Sequence, residues 1–340
     1  MKTEASVIKM LKSEGDTPDD EIVSTISSGF GSDLPRAVLR EMIEFYDADT
    51  TGFLAQLHRL ESEGDGDDVS ASAGKVAQRS IGQPEFESLI SEFGFDAHRD
   101  ALINALRLGH QLVAEDEVVA GDLSLASRFR GQPALAPNEE WPTWRGKEMQ
   151  FLLQLDLGEL PQEACGPLPS SGILSFFCMP EWDYSSADAG RILYHPDPGA
   201  LSLRPASGDT QDFPARLMTI VPNTLCMPPA ESARFLALGM TGNDEEQYYD
   251  LVDHLVLRQK DEDLIHQALG YPDQLQGDIE AAACGLAGTP ARRWRLVLQV
   301  DSDEAISTMW GDGGRIYFMV PDEESTKTDF SDACVVMQCS

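Results

Sequence analysis

The sequence predicts an α+β protein: a helical N-terminal domain over 1–120, then a mainly β domain over 121–340 built from an internal duplication. Three observations carry this. Residues 1–120 place apolar side chains at helical spacing behind good helix starts. From about 123 the texture changes to short alternating strands punctuated by Gly and Pro. Finally, blocks of the second part return in the same order about 140–145 residues later.

In the first part, Thr17 is suited to cap a helix whose first position is Pro18 and whose first turn holds Asp19 and Asp20. Gly29 suits its C-terminal stop. A second helix follows with Leu34, Val38, Leu39, Met42 and Ile43 on one stripe, and a third is expected over 96–113 around Leu102, Leu106 and Val113. Between them, 61–74 has the Gly, Ser and acid content of an exposed loop.

In the second part, the run Phe151 to Asp156 returns as Leu296 to Asp301, and Gly172 to Glu181 returns as Gly313 to Asp322. A weaker echo links Arg130-Gly131 to Leu269-Gly270. The expected repeat units are 123–182 and 266–340, with 183–265 as an insertion. That insertion is read as a hairpin (Arg191–His195 with Ala200–Arg204), a strand near 217–221, and helices near 229–239 and 244–258. Period two puts Phe151, Leu153 and Leu155 on one face of their strand and Gln154 and Asp156 on the other, with Leu296, Leu298 and Val300 opposing Gln299 and Asp301.

Charge narrows the function classes. Lys+Arg total 25 against 58 Asp+Glu, a net charge of −33. Nucleic-acid phosphates and anionic membranes require clustered basic residues, so both are excluded as main partners. Residues 1–120 carry 10 basic and 24 acidic groups and the remainder 15 and 34, so the acidity is not a detachable tail. Six separated cysteines without metal spacing suit a reducing cytoplasm.

Four candidate sites stand out. Asp47, Asp49 and Thr51, followed by Gly52, match an EF-hand loop, but its twelfth position is His58 where a bidentate Glu closes the calcium shell. A helix–turn–helix corner is expected there, with no metal and no cofactor. Gln154, Asp156, Gln299 and Asp301 would line one groove if a pseudo-dyad brought their strands together; the plainer expectation is that they hydrogen-bond within the sheet and cap its turns. Trp310 with Asp312 offers an aromatic platform and a carboxylate, although Asp312-Gly313 reads first as a hairpin turn between Ile306–Trp310 and Ile316–Val320. Arg128, with Arg130, Arg145 and Lys147, forms the densest positive spot of the β domain, suited to an anionic ligand or to ion pairing.

Residues 123–340 resemble the YwqG-like family. The resemblance rests on Ser127 to Pro133, Trp141-Pro142, Leu153 to Asp156, Gly172 to Phe177, Leu269 to Pro272, Leu298 to Asp301, Trp310 to Gly314 and Cys339-Ser340. It implies a duplicated β domain and supplies no activity. No nucleophile elbow or His pairing for zinc is present in the sequence. The function expected is therefore a non-catalytic binding or regulatory module that captures a protein partner, a basic one by charge, as an immunity protein does. The alternative is an enzyme with a carboxylate-lined, metal-assisted hydrolytic groove between the repeats.

Overall fold

The computed structural model describes residues 82–115, 125–161, 166, 168–179, 186–206, 213–230, 232–240, 242–259, 266–290, 292–322 and 328–339. These belong to the second of two compact units, Met1–Lys75 and Val76–Ser340. The helices expected at Thr17 and Leu34 and the EF-hand-like loop lie outside the described residues.

The elements run in chain order. Helix α1 (Gln83–Glu92) has Pro84 in its first turn and buries Phe86, Leu89 and Ile90 at i, i+3, i+4. Helix α2 (Arg99–Ala105) buries Leu102 and is followed directly by strand β1 (Arg107–Ala114). The helix expected over 96–113 is thus corrected: its second half is strand. Sheet partners on both sides of β1 bury His110, Gln111 and Leu112 and leave Val113 39% exposed, which overrides the weak helical spacing.

Strands β2 (Arg128–Phe129), β3 (Ala134–Leu135), β4 (Thr143–Trp144), β5 (Lys147–Glu148), β6 (Gln150–Asp156), β7 (Ile173–Cys178), β8 (Gly190–His195), β9 (Ser202–Leu203) and β10 (Arg216–Cys226) follow. Next come α3 (Ala233–Leu236), α4 (Gly242–Gln259), β11 (Gln267–Leu269), α5 (Ile279–Ala287), β12 (Trp294–Asp301), β13 (Arg315–Pro321) and β14 (Cys334–Gln338). Ser232 and Asp278 cap α3 and α5 through their side-chain oxygens. Two expected hairpins are corrected. Strand β8 pairs with β7, whereas β9 pairs with β3. Residues 306–310 form no strand, since Asp303 and Thr308 make only an isolated bridge.

Ten strands form one sheet in the order β14-β13-β12-β11-β1-β10-β2-β6-β7-β8. The order is symmetric about the β1–β10 pair, where Gln111 faces Val221 and Leu112 faces Ile220. Each repeat therefore contains five strands, β1-β2-β6-β7-β8 and β10-β11-β12-β13-β14. Their first strands are exchanged: β1 pairs with β11 and β10 with β2. The expected repeat limits omitted both first strands and left β8 in the insertion, because pairing specifies these strands and hardly any shared side chain does.

The duplication is visible at atomic level. Arg128 and Phe129 pair with Gln154 and Leu153, and Gln267 and Ala268 pair with Gln299 and Leu298 in the same register. The residues that follow, Arg130-Gly131 and Leu269-Gly270, all have left-handed backbone, with φ of 57°, 72°, 62° and 72°. Each Q-x-D strand carries a bulge at the same place, Phe151/Leu153 and Leu296/Leu298. The bulge corrects the simple alternation. It turns Phe151 and Leu296 to the outer face and adds Leu152 and Val297 to the inner core beside Leu153, Leu155, Leu298 and Val300.

The sheet curls around that inner core into a barrel-like body. Phe176 and Phe318, equivalent by register, meet edge-to-face at 5.2 Å between ring centroids. The two sheet edges also meet, where Val335 N–H donates to Ala187 O at 3.0 Å. Outside, α5 covers the second repeat through Ile279 and Ala283 against Trp294, Leu296 and Tyr317, while Trp144 and Met149 cover Phe151 and Phe177 in the first. Helices α1–α4 form a separate core around Phe86, Phe235 and Tyr248. Among the described residues no helix is long and apolar enough to cross a membrane.

Candidate functional site

The residues singled out in sequence are held by the fold itself. Gln154 Oε1 accepts from Ala134 N–H at 3.2 Å, and Gln299 Oε1 accepts from Asp273 N–H at 2.8 Å. These are equivalent positions, and both amides are fully buried. Asp156 Oδ1 accepts from Gly158 N–H at 2.9 Å, whereas Asp301 accepts from Arg315 Nε and Ser302 N–H, each at 2.9 Å. Four strands (β11, β1, β10 and β2) lie between β6 and β12 in the sheet, so the two Q-x-D strands are not paired with each other.

Trp310 is buried, its indole N–H donating to Asp301 O at 3.1 Å, so the aromatic platform is a core residue. Asp312 is exposed at a turn closed by Gly314 N–H to Trp310 O at 2.7 Å. Arg128 is 1% exposed; its guanidinium donates to Ala126 O and Gln132 O, and burial pulls its pKa down to about 10. Arg130 likewise donates to Ile306 O at 2.7 Å and Ser307 O at 2.8 Å. The positive spot read from sequence is an internal tie in these two members.

The structure instead opens a groove of about 310 Å³ between α4 and the loop 271–277. Helix α4 is amphipathic: Tyr248, Leu251 and Leu255 enter the helical core, where Tyr248 O–H donates to Pro228 O at 2.7 Å. Its next stripe, Tyr249, Val252, Asp253 and Val256, forms one groove wall. Three buried glutamines pin the opposite wall. Gln299 holds Asp273 N–H, Gln267 Nε2 donates to Leu269 O and Tyr271 O, and Gln338 Oε1 accepts from Leu275 and Gln276 N–H at 2.7 and 2.9 Å. The groove is thereby preformed.

Its chemistry is apolar with negative charge. Tyr249 and Leu275, 40% and 41% exposed, are brought together at this site. Asp253 and Asp273 supply carboxylates. Desolvation, with repulsion from Asp250 and Asp273, raises the Asp253 pKa above the ordinary Asp value. Asp273 is balanced by Arg315 Nη1 at 2.6 Å. The sequence signal that would have found this wall is the acidic, aromatic run from Asp244 to Asp253, which helical periodicity assigns only to a helix. Among the described residues no group of three or more His, Cys, Asp and Glu is arranged to hold a metal.

A family described as a domain of unknown function (DUF1963) is matched by residues 127–339, most of the β body. None of the curated proteins matches the sequence.

Proposed function

The chain belongs to the DUF1963 family, and we propose that its β body is a non-catalytic binding module that captures a basic protein partner in the α4 groove. One observation carries the reading: exposed Tyr249 and Leu275 share a preformed groove with the carboxylates of Asp253 and Asp273. A lysine or arginine side chain flanked by an apolar residue complements such a surface, its stem on the apolar wall and its charge at the acids. The net charge of −33 accelerates the encounter with a cation. The finer resemblance to YwqG-like proteins and an immunity-like role belong to the same proposal, as does a reducing cytoplasm, which suits the five described free thiols. The hydrolytic alternative is less well supported, since four strands stand between the Asp156 and Asp301 strands.

Isothermal titration with a synthetic amphipathic Lys/Leu peptide tests the reading against its Glu/Leu counterpart. The Lys/Leu peptide is expected to bind, and Tyr249→Ala is expected to weaken it by about 1–2 kcal/mol. Asp253→Asn should cost about 1 kcal/mol and flatten the salt dependence. Equal binding of the Glu/Leu peptide, or binding indifferent to both substitutions, overturns it.

A further inference from the structure

On the other side of Tyr271 lies a second cleft, of about 970 Å³, with the opposite charge. Five of the chain's 18 arginines line it: Arg107, Arg234, Arg292, Arg293 and Arg295. They come from four places in the chain: the start of β1, α3, the segment before β12, and β12 itself. On a protein of net charge −33 this convergence runs against the composition.

Internal carboxylates use part of these donors. Asp322 accepts from Arg107 at 3.1 Å, Arg234 at 2.8 Å and Arg295 at 2.8 Å, and Glu280 accepts both from Arg234 and from Trp294 N–H. Three guanidinium groups thus share two carboxylates. Arg107 also stacks on the Tyr271 ring, 4.3 Å from its centroid, which fixes it as one wall. Arg292 is paired with Asp332 at 2.8 Å.

The remainder is available to a ligand. Arg295 gives Asp322 only its Nε, so its two terminal nitrogens make no hydrogen bond among the described residues. Arg293 is exposed, and its side chain makes none among them either. The backbone N–H groups opening α5 are already capped by Asp278 Oδ1, so recognition falls to the guanidiniums. Five guanidinium groups stand against the carboxylates of Asp278, Glu280, Asp322 and Asp332, so the excess is about one positive charge, that of Arg293. An anion with several oxygens in a tetrahedral array offers acceptors to the donors of Arg293 and Arg295 at once, more than a single carboxylate does. The volume is that of a small-molecule site.

We infer that this cleft binds a small organic anion through a phosphoryl group held by Arg293 and Arg295. The site is separate from the α4 groove and does not depend on that reading. Pyrophosphate is the probe, titrated into the full chain by calorimetry at fixed ionic strength, with succinate as the control. Saturable pyrophosphate binding is expected, weakened about tenfold or more by Arg293→Ala and largely kept by Arg293→Lys. The melting temperature should be unchanged in both variants, and Asp253→Asn should leave the affinity as it was. Absent binding, equal affinity for succinate, or affinity insensitive to Arg293→Ala overturns the inference. Should Arg293→Ala lower the melting temperature, Arg293→Glu decides: loss of pyrophosphate binding in protein shown folded by circular dichroism supports the site, and retention overturns it.

Discussion

Gln154 and Gln299 show how much a single side chain can carry. Each sits on the outer face of a sheet strand, fully buried, and holds a backbone N–H outside its sheet, of Ala134 in β3 or of the loop residue Asp273, at the equivalent position of its repeat. Replacing either amide by leucine leaves a buried N–H without its acceptor. Gln154→Leu and Gln299→Leu are each expected to cost about 1–3 kcal/mol in urea unfolding. Gln299→Leu should in addition weaken peptide binding, because Asp273 belongs to the groove wall. That both positions are glutamine was legible in the sequence, and so was the plainer reading that they bond within the sheet. Which backbone groups they hold was not, since Ala134 and Asp273 stand 20 and 26 residues away in the chain.

Strands and helices were legible in proportion to how local their causes are. The β6 and β12 runs and the long helix α4 follow from residues within a few positions of one another. Strand β1 does not, because its helical spacing is ambiguous until β10 and β11 supply hydrogen bonds on both sides. The closing of the sheet is also an element-scale fact. A Cβ on Gly190, at the start of β8, would stand 2.4 Å from Val335 Cγ2 and 3.1 Å from Phe177 O. Gly190→Val should therefore push β8 away from β14 and cost about 2–3 kcal/mol, seen as a lower thermal midpoint. An unchanged midpoint would mean that the two edges do not rely on this contact.

At the scale of the whole molecule, Asp322 joins elements far apart in sequence: Arg107 of β1, Arg234 of α3 and Arg295 of β12. Burial raises its carboxyl pKa, but the Arg234 bond and the other two guanidiniums outweigh this and leave it below the ordinary Asp value of 3.8. A carboxyl depressed in the native state adds stability that is complete above its unfolded pKa and is lost as pH falls through the native one. Acid unfolding below about pH 4 should therefore be shallower in Asp322→Asn, which is also destabilised at neutral pH by about 3 kcal/mol because three arginines lose their shared counterion. Parallel acid limbs in the two proteins would exclude this role. By itself the sequence determined the duplication, the β texture from 123 onward and the net charge, because periodicity, turn chemistry and composition act over short stretches or sums. Only the tertiary structure decided that the repeats exchange their first strands, that Gln154, Asp156, Gln299 and Asp301 serve the sheet, and that an acidic groove and an arginine cleft lie on either side of Tyr271. These depend on which distant backbone groups find each other and which charges are left over, and no local pattern encodes either.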